Sequence, residues 1–279
     1  MKRILVPCDF SAPSREAFTF AMEMVARAKA EVVVLHAAYV PVLYDPGYAG
    51  GTPLAYDISF LNRIEEDTKR GYEKMKNESG VRGVSVSLDI VHDNLISAIQ
   101  HHVDRKQTDL IIMGTSGASG IREVFIGSNT EKIVRFAQAP VLAVHKAPPV
   151  SSIKKILLPT TLRLDQTDFM NKVKELQEFF GATLHVLLVN TASHFRTDKD
   201  AVAALEEFAK HYHLKNHTLH FKSYDNEEDG IIDFTYKEGI DLIAMATHAR
   251  KGLARLFTGS ITEDVVNHIS APVWTYNKI

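Results

Sequence analysis

The sequence predicts an α/β fold that is built twice, as two tandem domains that each contain a parallel sheet with helices on both faces. Three observations support this prediction: a length of 279 residues, passages that recur in the second half, and short apolar runs that alternate with helical stretches. At about 150 residues per domain, the length favours two domains. Continuous apolar strands between helices are typical of parallel sheets that are covered on both sides.

The internal repeat aligns the two halves position by position. Four passages of the first half recur, namely KRILVPCDF as KKILLPTTL (2–10 and 154–162), AEVVVLHAA as ATLHVLLVN (30–38 and 182–190), DLIIMGT as DLIAMAT (109–115 and 241–247) and APVLAV as APVWTY (139–144 and 271–276). The first two recur 152 positions later and the last two 132 positions later, so the second half is 20 residues shorter. KAPPVSSI (146–153) reads as the linker. We therefore expect domains at 1–146 and 152–279.

Each half follows one order of elements. In the first half the predicted strands are, in order, ILVP, VVVLH, VSVSLDIV, DLIIM and VLAV. Ser11 and Pro13 mark the start of the first helix. Later helices are predicted over 57–77, over 93–105 and from about 128. The stretch between the second strand and the second helix is rich in glycine and proline, which predicts a long loop.

Composition limits the classes of function and the compartment. The net charge of −2 gives no electrostatic footprint for nucleic acid. No run approaches 18 apolar residues, so we expect no membrane insertion. The apolar run at the N-terminus stops at Pro7 and Asp9, which is too short for a signal peptide. Cys8 is the single cysteine and reads as a buried thiol in a reducing compartment. These features predict a cytoplasmic protein.

The stretch GTSGASGIREVFIGSNTE (114–131) contains four glycines after the fourth predicted strand. Glycines allow a ligand to approach the main chain closely, and successive N–H groups can surround an anion. The stretch ends in Ser128-x-x-Glu131, a capping box at the N-terminus of a helix, which is a favourable place for phosphate. Capping alone also explains Ser128, because the second half keeps the same box in Ser260 and Glu263.

Differences between the halves identify candidate functional residues. Ala246, Ala249 and Thr161 stand where the first half has Gly114, Gly117 and Asp9. Because the repeat holds the fold roughly constant, we interpret these three first-half residues as unnecessary for folding and therefore as candidates for function. Asp9 could instead cap the first helix, but Ser11 and Pro13 already mark that helix start. Asp9 and Gly114 both follow strands, so both are expected at the carboxyl edge of the sheet, where ligands bind.

The motif Gly114-x2-Gly117-x9-Gly127-Ser128, together with the opening ILVPCDFS, the LH of the second strand and the closing APVLAV, resembles the universal stress protein family in its tandem two-domain form. The resemblance covers nearly the whole chain. It implies two Rossmann-like (adenine-nucleotide alpha-hydrolase-like) domains, each with a five-stranded parallel sheet. It also implies an intramolecular pseudo-dimer that forms through the last strands, VLAV and VWTY. A further two-fold homodimer of chains is compatible with this arrangement.

The resemblance also implies a site for ATP, with or without Mg²⁺, in the first half. Carried onto this sequence, Pro7 and Asp9 contact adenine or ribose, Ala37 and Met113 flank the adenine, and Gly114, Gly117, Gly127, Ser128 and Asn129 hold the ribose and phosphates. We expect one nucleotide per chain, because the second half lacks the motif. The implied role is regulation in the stress response, with a protein partner that the sequence does not identify.

Two alternatives stay open at this point. The sequence contains no GxxxxGK[ST], GxSxG, HxGH or SGGxDS pattern, which leaves slow ATP hydrolysis as the enzymatic alternative. The other alternative is a binding module for an apolar ligand or a protein, built from the loop at 40–56 and the degenerate site of the second half. HYHLKNHTLH (211–220) fits no standard metal spacing, so no metal site is expected.

Overall fold

The computed structural model describes residues 1–38, 58–115, 128–146, 148–247 and 268–276, together with positions 262 and 265. In the first half, strands and helices alternate in the order β1 (Arg3–Pro7), α1 (Ala12–Ala28), β2 (Glu31–Ala37), α2 (Ile58–Glu78), β3 (Ser85–Val91), α3 (Leu95–Lys106), β4 (Leu110–Gly114), α4 (Ser128–Phe136) and β5 (Val141–Val144).

The second half repeats this order after a short 3₁₀ turn at Val150–Ser152. Its elements are β6 (Lys155–Pro159), α5 (Thr167–Phe180), β7 (Thr183–Asn190), α6 (Asp198–His211), β8 (His217–Ser223), α7 (Glu227–Glu238), β9 (Leu242–Ala246) and β10 (Val273–Tyr276). Positions 262, 265 and 268 are helical and lie where the last helix of the second half is expected. Among the helices that the structure describes, none has the length and apolar character required to cross a membrane.

The ten strands form one sheet in the order β3-β2-β1-β4-β5-β10-β9-β6-β7-β8. The described pairs within each half are parallel, whereas β5 and β10 pair antiparallel, with Val141 opposite Thr275 and Ala143 opposite Val273. The predicted fold class is therefore confirmed, as is the contact between VLAV and VWTY. The two five-stranded sheets are joined edge to edge by that contact.

Alternation of side chains along the strands gives the sheet two apolar faces. One face carries a continuous core that runs from Ile4 and Phe18 in the first half to Val173 and Trp274 in the second. The opposite face carries two separate clusters, one under α3 and α4 around Leu5 and one in the second half under α7. The halves consequently share the large core on one face, and on the other face Ala143 of β5 joins the cluster of the second half.

Most predicted boundaries agree with the observed elements to within two residues. α1 begins at Ala12, and the Ser11 side chain accepts a hydrogen bond from Ser14 N–H, as the sequence predicts. α3 begins at Leu95, two residues after the predicted start. The reason is that the Asn94 side chain accepts the N–H of Ser97 and so fixes the first turn.

Candidate functional site

The carboxyl ends of β2, β1 and β4 lie side by side in the sheet and form the candidate site. Pro7 ends β1, Ala37 ends β2 and Gly114 ends β4, so three predicted site residues come together at one edge. Asp9 lies two residues beyond β1 at the same edge. Ala37 is half-buried, and the next residue, Ala38, donates its N–H to Val91 O at 2.8 Å.

Other predicted site residues are placed differently or lie outside the described part of the chain. Ser128 begins α4, and Asn129 is exposed in its first turn. Gly117 and Gly127 lie outside the described residues. Met113 is 5% exposed and packs in the core under α3 and α4, so its side chain has a packing role in this structure.

Asp9 occupies a tight turn that leaves its carboxylate at the surface. Its Oδ1 accepts the N–H of Ser11 at 3.0 Å, and Phe10 between them has a left-handed backbone with a φ of 62°. Burial raises the pKa of Asp9, but hydrogen bonds from Ser11 and Ser14 outweigh it, and the pKa falls below its ordinary value. Because Ser11 caps α1, Asp9 is available as an ionised hydrogen-bond acceptor.

His36 is a residue of this edge that sequence reasoning did not single out. Its Nδ1 lies 2.8 Å from Cys8 O, and its ring stacks on Phe10 with centroids 5.2 Å apart. A carbonyl oxygen only accepts hydrogen bonds, so Nδ1 carries the proton. His36 therefore ties the turn after β1 to the end of β2. The motif LH contains the residue, but the contact with Phe10 follows from the geometry of the turn.

Cys8 lies beside this turn as a buried free thiol. Its Sγ is 3.4 Å from Ser14 Oγ and 3.7 Å from Met75 Sδ. Burial raises the pKa of the thiol, although hydrogen bonds from Ser14 and Phe10 oppose the shift. A protonated, enclosed thiol is a poor nucleophile, which agrees with the interpretation of Cys8 as a packing residue.

Packing requires a glycine at position 114, which corrects the interpretation made from the sequence. A Cβ on Gly114 would lie 2.2 Å from Pro13 O and 2.8 Å from Ser14 N, because the first turn of α1 packs directly on the end of β4. In the second half, α5 begins at Thr167, whereas position 164 is the equivalent of Ala12. The later helix start explains why Ala246 is tolerated there. The interpretation that the fold does not need Gly114 was therefore wrong.

The first turn of α4 is held at the same edge as the ends of the strands. The Thr130 hydroxyl donates to Gly114 O at 3.1 Å, which links α4 to the end of β4. The exposed N–H groups of a helix N-terminus carry partial positive charge and attract anions. The edge thus combines an ionised carboxylate at Asp9 with the positive N-terminal end of α4, which Thr130 links to the end of β4.

A threonine follows β4 and β9 at equivalent positions. The Thr115 N–H donates to Val144 O at 2.9 Å, and the Thr247 N–H donates to Tyr276 O at 3.2 Å. Both hydroxyl oxygens are buried, and neither has a hydrogen-bond partner within the described part of the chain. Because both halves share the feature, it belongs to the fold and does not distinguish a ligand site.

The second half has the same turn with different chemistry. Leu162 repeats the left-handed backbone with a φ of 63°, and its N–H donates to Thr160 Oγ1 at 2.9 Å. The Tyr212 hydroxyl donates to Arg163 O at 2.9 Å and accepts the N–H of Gln166 at 3.0 Å. In the second half, hydrogen bonds from its own side chains therefore hold this edge in place. Thr161 provides no carboxylate there.

A polar cluster of Ser193, His194 and Glu227 lies after the end of β7. Ser193 Oγ and Glu227 Oε1 each lie 3.2 Å from the same ring nitrogen, Nδ1 of His194. A hydroxyl–imidazole–carboxylate relay needs the two partners on different ring nitrogens, so this cluster is not such a relay. Within the residues that the structure describes, no group of three or more His, Cys, Asp or Glu side chains is arranged to hold a metal.

Comparisons with known proteins identify relatives of both halves. Residues 1–145 and 152–277 each match the model of the universal stress protein family. A universal stress protein of Methanocaldococcus jannaschii is 27% identical over 145 residues, which are 52% of this chain and 82% of that protein. One of Bacillus subtilis is 25% identical over 145 residues, covering 51% of this chain and 98% of that protein.

Solved structures show the same fold over the whole chain. A universal stress protein from Archaeoglobus fulgidus has a TM-score of 0.74 at 18% identity, covering 99% of this chain and 98% of its own. A protein of unknown function from Pseudomonas aeruginosa has a TM-score of 0.68 at 18% identity, with 99% and 92% covered. Both similarities concern the fold.

Proposed function

The chain belongs to the universal stress protein family, and from that premise we propose that it binds one ATP in its N-terminal half and serves a regulatory role in the stress response. In this proposal, residues 1–146 form the nucleotide-binding unit, and residues 152–279 form a unit with a degenerate motif. The second unit supports the first and offers a surface to a protein partner. A cytoplasmic location is part of the proposal and is supported by the single, buried cysteine.

The observation that carries the proposal is the meeting of Asp9, Ala37 and Gly114 at one sheet edge, in a chain whose motif continues through Gly117 and Gly127 to Ser128. Parallel α/β sheets bind ligands at this edge. An ionised carboxylate accepts hydrogen bonds from ribose hydroxyls, and a helix N-terminus favours phosphate. These two preferences fit opposite ends of a nucleotide.

We propose a binding role for Asp9 and leave slow ATP hydrolysis as the enzymatic alternative. The carboxylate already accepts the Ser11 N–H, and its pKa is lowered. A general base works best with a pKa near the working pH, so these properties suit a hydrogen-bond acceptor better than a base. Asp9 could also help hold Mg²⁺ on the phosphates, because hard cations prefer carboxylate oxygens.

Isothermal titration calorimetry with ATP, with and without Mg²⁺, tests the proposal. We expect one equivalent per wild-type chain. Asp9→Ala removes a charge-assisted acceptor and should weaken affinity by roughly tenfold or more, since such hydrogen bonds contribute about 1.5–3 kcal/mol. The matched control is Thr161→Ala, the same change at the equivalent position of the second half, which should leave affinity unchanged. Asp9 is exposed, so its replacement should not unfold the chain.

Three results would contradict parts of the proposal. Two equivalents at saturation would show that the second half also binds nucleotide. Equal losses in Asp9→Ala and Thr161→Ala would remove the special role of Asp9. An absence of binding in the wild type would mean that the glycine motif is structural, and it would favour the other proposal, a binding module for an apolar ligand or a protein.

A further inference from the structure

A cavity of about 210 Å³ opens in the first half between α1, the last turn of α2 and the loop that leads into β3. Met22 of α1, which is 1% exposed, lies at its base with the half-buried side chains of Val84 and Val86. We call it the α2–β3 cavity. The loop precedes β3, so the cavity lies at the amino ends of the strands. Asp9 and Gly114 lie at the opposite edge of the sheet, and the cavity is therefore separate from the proposed nucleotide site.

The polar side chains of the α2–β3 cavity are two cations and an amide. They belong to Lys76, Arg82 and Asn77, and none of the described residues that line the cavity is acidic. Glu78, the nearest acidic residue in the sequence, is paired with other cations. The Lys76 ammonium lies 5.7 Å from the centre of the Tyr72 ring. This cation–π contact holds the ammonium in place and leaves its N–H groups for another acceptor.

The end of α2 does not cancel this positive charge. A helix C-terminus carries partial negative charge on its last carbonyl groups. Here the Ser79 hydroxyl donates to Lys76 O at 2.8 Å, and the Ser79 N–H donates to Met75 O at 3.0 Å. Two of the terminal carbonyls are thus satisfied within the chain. The charges that face the cavity favour an anion.

The second half has the corresponding loop in a shorter form. The first loop contains six residues (79–84) and the second contains five (212–216) between the helix and the edge strand. Each loop has two left-handed residues three positions apart, Gly80 and Gly83 in the first half and His213 and Asn216 in the second. The two loops therefore follow a similar path, and the first has one residue more.

A glutamine clamps the loop of the second half onto its helix. Gln177 of α5 is buried, and its Nε2 donates to Lys215 O and to Asn216 O, each at 2.9 Å. The first half has Val25 at the equivalent position of α1, 152 residues earlier. Valine cannot donate hydrogen bonds to the loop. The open space under the first loop is consequently a property of the first half and not a requirement of the fold.

The volume and the lining of the cavity select one class of ligand. An apolar cavity of about 150 Å³ accepts benzene, whereas sites for drug-sized ligands measure about 300–1,000 Å³. At about 210 Å³, the α2–β3 cavity has room for a single ring or a short branched chain. Its base is apolar, and an arginine fork matches the geometry of a carboxylate.

We propose that the α2–β3 cavity binds a small organic acid that has an apolar body and one carboxylate. The body packs on Met22 and Val84, and the carboxylate lies between the cations Lys76 and Arg82. This assignment does not depend on nucleotide binding.

Titration of the full ¹⁵N-labelled chain with sodium benzoate, followed by NMR, tests the proposal. We expect the backbone amides of Gly80 and Gly83 to shift saturably, with one site per chain. Benzamide has the same ring without the charge, and inorganic phosphate has charge without the ring. Each should bind at least about tenfold more weakly than benzoate, as expected for the loss of a charge-assisted hydrogen bond or of the apolar contact.

Arg82→Gln removes the guanidinium and should weaken benzoate binding by roughly tenfold or more. Arg82 is exposed, so the rest of the spectrum should stay unchanged. The matched control is Lys69→Gln, which removes a largely exposed lysine of the same helix outside the cavity. This control should bind benzoate like wild type.

Four results would overturn the proposal. Wild type without a saturable shift at these glycines would mean that the cavity does not take the acid. Equal binding of benzamide would show that the carboxylate is not recognised, and tighter binding of phosphate would show a site for simple anions. Equal losses in Arg82→Gln and Lys69→Gln would reduce the effect to non-specific attraction by surface charge.

Discussion

Phe10 and Leu162 adopt the same left-handed backbone conformation at equivalent positions, with φ of 62° and 63°. That conformation costs about 1–2 kcal/mol for a residue with a Cβ, yet both halves keep it. Phe10 is held in place by packing on Gly71 and by stacking on His36. Because the strain recurs in both halves, it belongs to the fold. In each half the turn exposes the side chain that comes just before the left-handed residue. This side chain is the Asp9 carboxylate in the first half and the Thr161 hydroxyl in the second.

Gly114→Ala and Ala246→Gly form a matched pair of substitutions at equivalent positions. The new methyl group at Gly114 would meet Pro13 O at 2.2 Å, so α1 must shift. We expect the free energy of unfolding to fall by about 1–3 kcal/mol, as for other overpacked sites. Ala246→Gly removes a half-buried methyl group and adds backbone freedom, which should cost about 1 kcal/mol or less. Urea denaturation of both variants measures these differences.

If Gly114→Ala were as stable as wild type, α1 would not press on β4 as described. For the same reason this substitution is a poor probe of nucleotide binding, because a loss of affinity would also follow from a displaced helix. Asp9→Ala with its Thr161→Ala control separates ligand contacts from folding.

The predictable part of the site depended on local rules. The residue type and position of Ser11 predict that it caps α1. They also predict that Asp9 is not needed as the cap of that helix. The clash at Gly114 was not predictable, because it depends on where α1 begins relative to β4. The His36 contact with Cys8 O depends in the same way on the path of the turn. Both are distances between elements that are remote in the sequence.

Among the elements, β7 and β8 carry a pair of histidines on adjacent strands. His185 Nδ1 lies 3.2 Å from His220 Nε2, and the rings are nearly parallel. The Thr218 hydroxyl lies 2.8 Å from His220 Nε2, and Phe234 of α7 packs edge-on against the His220 ring. The two ring nitrogens and the Thr218 hydroxyl, which also lies 3.2 Å from His185 Nδ1, form one polar cluster that links the two strands.

Burial lowers the pKa of both histidines. Lys155 lowers that of His185 further, and Glu238 opposes the shift at both rings. An unfolded histidine titrates near its ordinary value of about 6.5. As the pH falls below that value, the unfolded chain binds protons before the folded chain does. The free energy of unfolding should therefore decrease from about pH 6.5 downward, toward the lowered pKa values of the folded state.

His220→Asn keeps a polar side chain at this position but removes its titration. We expect the midpoint of urea denaturation to fall less steeply between pH 7 and pH 5 (roughly the range in which histidine titrates) than it does for wild type. His211→Asn, at the exposed end of α6, is the control and should behave like wild type. Parallel pH profiles for wild type and His220→Asn would contradict a role for the pair in this dependence.

At the scale of the whole molecule, the two halves are joined by more than the sheet. The linker residue Val150 donates its N–H to Glu23 Oε2 of α1 at 2.8 Å. The Arg27 guanidinium of α1 lies 5.4 Å from the centre of the Phe179 ring of α5. Trp274 lies in β10, the strand that pairs with β5 of the first half, and belongs to the core that both halves share. The interface between the halves therefore includes strands, helices and the linker.

Because one core spans both halves, we expect the chain to unfold in a single transition. Trp274 is the one tryptophan of the sequence and is 3% exposed beside the β5–β10 pairing, so its fluorescence reports the junction. Far-ultraviolet circular dichroism reports the helices of both halves. Coincident urea transitions by the two probes are the expected result. A tryptophan transition at clearly lower urea would show that the halves separate before they unfold.

The sequence predicted the units, the strands and their pairing, but it did not predict how the helices of the two halves pack together. The repeat predicted two α/β units, and apolar runs such as VVVLH predicted buried parallel strands. The resemblance to the family predicted the pairing of VLAV with VWTY. The shared core on one face was not predictable, because it requires α1 and α5 to lie side by side on the same side of the sheet. Periodicity identifies a buried helix face without identifying its neighbour.

The antiparallel pairing of β5 with β10 inside one chain also has a genetic consequence. When two identical chains pair through one strand, every mutation enters both subunits at once, so both edges must change together. Here each partner strand belongs to its own stretch of coding sequence, and one half can change while the other is preserved. Such independence allows Asp9 to persist while Thr161 occupies the equivalent turn. The fused sheet is thus a symmetric scaffold on which selection can act asymmetrically.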